Sequence, residues 1–306
     1  MKSSGIGGQA VMEGIMMKNK DDYAVAVRKP DGEIVVDKQT YRSIVGNHKA
    51  LTRIPFVRGV FNFIDSMIIG MKTLMFSASF FEDEEEKKPM TEAEQKKKEK
   101  QESALMTGTV IVSIVFAVAI FMVLPYLLSG LLKRWIPSYG VRTVIEGLVR
   151  IGIFILYILL ISRMEDIQRT FMYHGAEHKC INCIERGRAL SVRNVRKSSR
   201  YHARCGTSFL FIVMVISIIF FIFIRVESPV ARVVVRVLLV PVIAGVAYEF
   251  IRLAGRSNNI VMRILSLPGK GMQMLTTKEP DDDMIEVAIA AVEAVDECVG
   301  KTVEAL

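Results

Sequence analysis

Four long apolar segments follow one another in the middle of the chain, separated by shorter polar stretches. They are Ala104–Leu132, Val144–Ser162, Thr207–Ile224 and Val233–Leu253. A helix needs about 20 predominantly apolar residues to cross the hydrocarbon core of a bilayer, and each segment approaches or exceeds that length. The pattern therefore predicts an α-helical polytopic membrane protein, with about four transmembrane helices in a membrane domain over residues 104–253.

The first 54 residues show a different pattern, in which short apolar runs alternate with glycine and turn residues. Residues 23–28 and 33–36 are typical of two strands, and a Pro-Asp-Gly turn lies between them. We interpret the Gly7-Gly8 pair as a tight turn, since glycine adopts turn conformations without steric strain. This pattern predicts a small cytoplasmic β unit over residues 1–54.

Residues 55–81 are largely apolar and have three charged residues, Arg58, Asp65 and Lys72, which are spaced seven apart. On a helix this spacing places the three side chains along one stripe. A narrow polar stripe on an apolar helix is typical of an element that lies in the membrane interface. We therefore predict an interfacial amphipathic helix over residues 55–81. A fifth transmembrane helix is the alternative, although charges at mid-bilayer depth are unfavourable.

The two remaining segments are richer in charge. Residues 82–103 are charged almost throughout and predict a linker or a solvated helix without chemistry. Residues 254–306 form a tail in which three aspartates after Pro280 predict the start of an amphipathic helix. Its apolar positions are Met284, Val287, Ala288, Ala291, Val292 and Val295. Such a face is typical of docking or self-association, so we expect other membrane proteins or a second copy of this chain as partners.

Composition and charge support a membrane location. Of the 306 residues 51% are apolar, and the formal net charge is +8. The basic residues concentrate beside the apolar segments, which favours the lipid bilayer over nucleic acid as the partner. The predicted 163–206 loop has ten of them, against five in the two connections on the opposite side. By the positive-inside rule we expect this loop and both termini on the cytoplasmic side of the membrane.

The residue types that bind metals cluster in the same loop. Three of the four histidines and three of the four cysteines lie between residues 174 and 205. His174 and His178 are one helical turn apart, and Glu177 completes an H-x-x-E-H pattern, the inverted form of a zinc-peptidase motif. In such sites the histidines hold Zn²⁺ and the glutamate accepts a proton from water. The spacing therefore predicts a zinc centre with Glu177 as the general base.

The remaining groups of such a centre must come from other parts of the chain. His202 and Glu249 are the candidates for a third ligand. Glu249 lies near the cytoplasmic end of the fourth predicted span, at the depth of the 163–206 loop, where a carboxylate indicates a functional site. The alternative is an interfacial glutamate that pairs with Arg252 or Arg256. Arg204 is the candidate for stabilising negative charge that develops during catalysis.

The same residues support two other interpretations. Cys180, Cys183, His202 and Cys205 have spacings typical of a closed structural zinc site. Alternatively no metal binds, in which case the histidines bond to backbone groups and the cysteines pack as small hydrophobic side chains. The sequence leaves the three interpretations open.

Several blocks of the sequence, in this order, resemble the DUF1385 (YqhQ-like) family of bacterial membrane proteins. The blocks are Gly7–Met17, Tyr23–Arg28, Pro55–Gly59, Tyr173–Lys179 and Arg204–Phe209. The resemblance runs from Gly5 to Lys278, which is nearly the whole chain. It implies an uncharacterised protein of the bacterial inner membrane that is expected to be a metal-dependent enzyme. That implication applies to the matching residues His174, Glu177, His178, His202 and Cys205.

Three classes of function fit these patterns. The first is a metal-dependent hydrolase with its site at the cytoplasmic membrane face, acting on a membrane peptide or a lipid-linked phosphate. The second is a non-catalytic membrane accessory or assembly protein whose His/Cys loop is a structural or docking element. The third is a transporter, in which Pro125, Pro241 and Glu249 mark broken helices, although the chain shows no internal repeat.

Overall fold

The computed structural model describes residues 4–46, 53–81, 92–202, 205–226, 228–254 and 267–295. This described part is mainly helical and has a four-stranded antiparallel sheet near the N-terminus. The chain divides into two units. Unit 1 comprises Met1–Phe81, Ile158–Ile216 and Val240–Leu306, and unit 2 comprises Glu82–Tyr157 and Ser217–Leu239.

The sheet is a meander in which each strand pairs with the next one along the chain. The strands are β1 (Ile6–Val11), β2 (Gly14–Asn19), β3 (Asp22–Arg28) and β4 (Ile34–Thr40). The predicted β unit is therefore present, with two more strands than the sequence pattern indicated. The interpretation of Gly7 and Gly8 as a turn is wrong, because both lie in β1 and pair with Lys18 and Met17 of β2.

Ten α-helices follow the sheet in the described part of the chain. They are α1 (Val57–Ala78), α2 (Glu92–Val118), α3 (Leu124–Leu131), α4 (Tyr139–Ile161), α5 (Glu165–Glu185), α6 (Val192–Arg196), α7 (Gly206–Phe223), α8 (Pro229–Ala254), α9 (Leu267–Thr276) and α10 (Asp282–Val295). A π-helical turn, Ala119–Val123, joins α2 to α3. The predicted 163–206 loop is thus largely helical, because α5 and α6 occupy most of it.

Five helical segments are long and apolar enough to cross a membrane by their length and composition. They are Val57–Ala78, Thr107–Arg134, Tyr139–Ile161, Gly206–Phe223 and Val230–Leu253. Four of them coincide with the predicted spans, and the fifth is the segment predicted to lie in the interface. The predicted fold class, a helical membrane protein with a small N-terminal sheet, is confirmed. The interfacial position of α1 stays a prediction.

Helices cover both faces of the sheet, since successive side chains of a strand point to opposite sides. On one face Ile15 and Ala24 pack in a core with α5 and α10. On the other face Met16 and Val25 pack against Ile69 of α1. The apolar positions of α10 predicted for docking are at most 6% exposed, so this helix docks on the sheet of its own chain.

A buried carboxylate joins α1 to the segment that follows β4. Asp65 accepts hydrogen bonds from the Tyr41 hydroxyl at 3.0 Å, the Ser43 hydroxyl at 2.5 Å and the Ile44 amide at 3.0 Å. Burial, together with the hydrogen bond to Asp65, raises the pKa of Tyr41 to about 12. The predicted polar stripe therefore has a buried member, whereas Lys72 on the same stripe is exposed.

The predicted 82–103 linker is described only in part. Residues 92–103 form the first turns of α2, and residues 82–91 lie outside the described residues. The predicted C-terminal tail is described over residues 267–295, which include α9 and α10.

Candidate metal centre

Helix α5 supplies the two histidines, and its packing determines where they lie. The helix begins at Glu165, and the acidic side chains of Glu165 and Asp166 in its first turn are favourable to the helix dipole. Further along, a Cβ added at Gly175 would collide with the backbone carbonyl of Lys278. The Lys278 amide also donates to the Phe171 carbonyl at 2.9 Å. The chain that leaves α9 therefore lies directly against the histidine-bearing face of α5.

Three potential ligands meet at this place. His174, His178 and Cys205 each offer one potential ligand atom, and these three atoms lie within 4.8 Å of one another. The His174 Nε2 atom is 3.2 Å from the Cys205 Sγ atom, and the two histidine rings are 4.4 Å apart between centroids. Among the described residues this is the group that could hold a metal ion. The predicted convergence of His174 and His178 on one face of a helix is present.

Backbone carbonyls determine which nitrogen of each ring is available. The His174 Nδ1 atom lies 2.9 Å from the Thr276 carbonyl, and the His178 Nδ1 atom lies 2.6 Å from the Arg200 carbonyl. A carbonyl only accepts hydrogen bonds, so each neutral ring has its proton on Nδ1 and a lone pair on Nε2. Such contacts to the far nitrogen are how proteins orient metal-binding histidines.

The Nε2 atom of His178 is buried and has no hydrogen-bond partner within the described part of the chain. Buried polar atoms in folded proteins almost always have a partner, so an orphaned lone pair needs an explanation. A metal ion supplies one, because it would accept this lone pair together with those of His174 and Cys205. The residues present therefore fit a metal ion.

Cys205 immediately precedes α7 and is 4% exposed. Its Sγ atom lies 3.1 Å from the Thr207 hydroxyl, which in turn lies 3.4 Å from the Thr276 hydroxyl. A thiolate is the form of cysteine that binds metals, and negative charge is favoured at the start of a helix. The thiol is thus in a position suited to a ligand.

Glu177 lies one residue before His178 and points towards strand β1. Its carboxylate lies next to the Gly8 backbone, and a Cβ added at Gly8 would lie 2.9 Å from the Glu177 Cδ atom. Burial raises the pKa of Glu177 to about 7, and the His174 ring and the Gly8 amide act in the opposite direction. A glycine in β1 therefore provides the space for this carboxylate.

His202, a predicted third ligand, lies beside the group. Its ring centroid is 5.8 Å from that of His178, and its Nε2 atom faces the Glu185 Oε2 atom at 3.4 Å. Its backbone is held on both sides by Gln273, which accepts from the His202 amide at 2.9 Å and donates to the His202 carbonyl at 2.7 Å. His202 is thus a neighbour of the three-residue group.

Glu249, the other predicted third ligand, forms an ion pair. Its carboxylate accepts from the Arg58 guanidinium group through two hydrogen bonds, one of them 2.5 Å long from Nε. Arg252 approaches the same carboxylate at 4.0 Å. Arg204, the predicted group for stabilising negative charge, lies outside the described residues.

Cys180 and Cys183 pack in the core between the sheet, α5 and α10. The Cys183 Sγ atom contacts the Ala189 carbonyl at 3.6 Å, and burial raises the pKa of both thiols. These thiols do not join Cys205 in a common group among the described residues. The closed four-ligand alternative is therefore not assembled, and these two cysteines pack as small hydrophobic residues.

Sequence reasoning missed the groups that orient the site. The carbonyls of Thr276 and Arg200 belong to residue types without a ligand signature, so no sequence pattern could have identified them. Gly8 had a usable signal, because a glycine within a strand often marks the close approach of another group.

Comparisons with known proteins support a family but no activity. The family described as "Protein of unknown function (DUF1385)" matches residues 54–297. The chain is also similar to the "Uncharacterized protein YqhQ" of Bacillus subtilis (strain 168), with 34% identity over 285 residues that cover 92% of this chain and 89% of the relative. No solved structure matches the chain significantly. These descriptions include neither a metal nor a reaction, so the metal-dependent enzyme implied by the resemblance is not supported by them. The chain belongs to the DUF1385 family.

Proposed function

We propose that this membrane protein binds one zinc ion through His174, His178 and Cys205 and acts as a metal-dependent hydrolase. The observation behind the proposal is the buried Nε2 atom of His178, which has no partner in the described part of the chain and belongs to the group of three ligands. Imidazole nitrogen and thiolate sulfur are the donors that zinc prefers.

The number of ligands favours a catalytic site over a structural one. Structural zinc sites have four protein ligands, whereas catalytic sites have three and leave one position open. A bound zinc ion supplies Lewis-acid activation of water and of a carbonyl or phosphoryl group. The described group has three members, which agrees with the catalytic class.

The other residues of the proposed site belong to this chain and have separate roles. Glu177, which is next to His178 in the chain and has its side chain packed against Gly8, would accept and return a proton. The hydroxyls of Thr207 and Thr276 lie beside the Cys205 thiol and would orient a polar substrate group. The role of Arg204 in stabilising negative charge stays part of the proposal.

The proposed topology has four crossings, with α1 lying in the interface. The sheet, α5 and α10 share one core, so they must lie on the same side of a membrane. Between the sheet and α5 the chain contains α1, the segment Thr107–Arg134 and α4. An even number of crossings is required between them, so α1 does not cross if the other two segments do. The positive-inside rule favours the cytoplasm for the shared side.

Metal analysis of the purified protein in detergent tests the metal centre. We expect about one equivalent of zinc in the wild type, in line with a single three-ligand group. His178→Ala and Cys205→Ala should lose the metal, whereas Cys183→Ala, which removes a buried thiol outside the group, should retain it. A folded wild-type protein that contains no metal and takes up no added zinc would refute the proposal.

One observation favours a second candidate, a non-catalytic accessory protein. Glu177 is 6% exposed and its side chain packs against Gly8 of β1, which is also what a purely structural glutamate would show. Glu177→Gln distinguishes the two functions. In a hydrolase it keeps the metal and the fold but abolishes the activity that supports the cell, measured by complementation of a deletion strain. In an accessory protein complementation should persist.

A further inference from the structure

Unit 2 contains three buried charged side chains on two of its candidate spans. Glu146 and Arg150 belong to α4 and Arg236 to α8, and their exposed fractions are 3%, 6% and 3%. Both guanidinium groups bind the same carboxylate. The Arg150 Nη2 atom lies 3.3 Å from the Glu146 Oε1 atom, and Arg236 donates to both carboxylate oxygens. The three side chains, named here the arginine cluster, have a net charge of +1.

The unbalanced charge requires an explanation. Among the described residues of unit 2, Glu146 is the one carboxylate that pairs with either arginine. Helix geometry places Arg150 about 16 Å along α4 from Tyr139, far from the end of the span. A charge at such a depth is unfavourable unless it is compensated, and it usually marks a functional site. One further negative charge would neutralise the arginine cluster.

Both guanidinium groups also have N–H donors that the hydrogen bonds of the described residues do not use. Arg150 donates from Nε to the Phe121 carbonyl at 2.8 Å and from Nη1 to the Ser217 hydroxyl at 3.1 Å. Phe121 belongs to the π-helical turn, a feature that often occurs at functional sites. Two guanidinium groups have ten N–H donors, and the hydrogen bonds described here use five of them. The remaining donors could bind the oxygen atoms of an anion.

Polar side chains continue from the arginine cluster to the ends of the helices. On α4, Tyr139, Thr143 and Glu146 follow one another at spacings of four and three residues, which places all three on one face of the helix. On α8, Arg232 precedes Arg236 by one turn, and its guanidinium group lies 4.8 Å from the Tyr126 ring centroid and 5.8 Å from that of Tyr139. A basic and aromatic route therefore connects the helix ends with the cluster.

We propose that unit 2 binds one monoanionic phosphate group between Arg150 and Arg236. Guanidinium groups form paired hydrogen bonds with phosphate oxygens, and this geometry suits arginine better than lysine. A phosphodiester has one negative charge, which balances the charge of the arginine cluster. The headgroup of a lipid and a free phosphate ion share this chemistry. The inference goes beyond the proposed function and does not depend on the metal centre.

Binding of two probes to the purified, delipidated protein tests the proposal. The probes are phosphatidylglycerol, followed by native mass spectrometry, and inorganic phosphate, followed by equilibrium dialysis. We expect one bound probe in the wild type. Arg150→Gln and Arg236→Gln each neutralise the arginine cluster and should weaken binding about tenfold or more. Glu146→Gln increases the positive charge and should bind at least as tightly as the wild type. Lys133→Gln, the same charge change on an exposed residue, should have no effect.

The two probes identify the source of the phosphate group. Binding of phosphatidylglycerol alone assigns a lipid headgroup, and binding of inorganic phosphate assigns a free ion. Equal affinities in the wild type, the arginine variants and Lys133→Gln would overturn the proposal, as would the absence of both probes from a folded wild type.

A second measurement does not depend on the folding of the variants. Phosphatidylglycerol should raise the melting temperature of the wild type, whereas diacylglycerol, which lacks the phosphate, should not. Equal stabilisation by both lipids would show that the arginine cluster is an ion-pair network without a ligand, and would likewise refute the proposal.

Discussion

The Nε2 atom of His174 lies 3.2 Å from the Sγ atom of Cys205, although 31 residues separate them in the chain. Helix α5 provides the histidine, and the residue before α7 provides the thiol. The carbonyl of Thr276, at the end of α9, orients the same ring from the opposite nitrogen. Three separate segments of unit 1 therefore meet at one imidazole.

Removal of the metal should destabilise the protein, because the proposed ion would bind the folded protein, in which these segments meet, and not the unfolded chain. An ion present at about 100 times its dissociation constant adds about 2.7 kcal/mol to the free energy of unfolding. A chelator should therefore lower the melting temperature of the wild type in detergent, as measured by circular dichroism. The same chelator should not change the melting temperature of His178→Ala. Identical responses of the two proteins would contradict the proposed site.

The substitution Gly8→Ala should destabilise the packing of β1 on α5. The added Cβ would lie 2.9 Å from the Glu177 side chain and 2.9 Å from the Met16 carbonyl. Overpacking of this kind lowers the free energy of unfolding by about 1–3 kcal/mol. Gly7→Ala is the matched control in the same strand, since a Cβ there has nothing within 4 Å. Thermal unfolding of both variants checks the prediction, which fails if they melt at the same temperature.

Loss of the Asp65 carboxylate should weaken the contact between α1 and the segment that follows β4. The substitution Asp65→Ala leaves the Tyr41 hydroxyl and the Ile44 amide without their acceptor. A buried donor without an acceptor lowers stability by about 1–3 kcal/mol. Lys72→Ala, on the same helical stripe but exposed, should change stability by less than about 0.5 kcal/mol. Unfolding in detergent measures both effects, and similar losses would indicate that Asp65 is not a structural anchor.

The position of α1 can be tested by reporter fusions. With α1 in the interface, a reporter joined after Phe81 lies on the same side as the N-terminal sheet. We expect green fluorescent protein to fluoresce at this junction and alkaline phosphatase to be inactive there, as at the N-terminus. Active alkaline phosphatase after Phe81 would show that α1 crosses the membrane.

Hydropathy and local periodicity were sufficient for the broad architecture. The four predicted spans recur as helices, and the strand pattern before residue 54 recurs as a sheet. The spacing of His174 and His178 also placed both rings on one face of a helix. These features depend on uninterrupted runs of about 20 apolar residues or on neighbours one helical turn apart, so the order of the residues alone was enough.

Tertiary packing decided the composition of the candidate site. It places Cys205 with the two histidines, whereas Glu249 pairs with Arg58, a residue 191 positions away. Likewise α10 covers the sheet of its own chain instead of presenting a free apolar face. These contacts depend on which distant segments of the chain pack in the same core, and the spacing of residues along the sequence does not specify that packing. The sequence by itself thus determined the long apolar helices and the histidine pair, and only the tertiary structure brought Cys205 beside that pair.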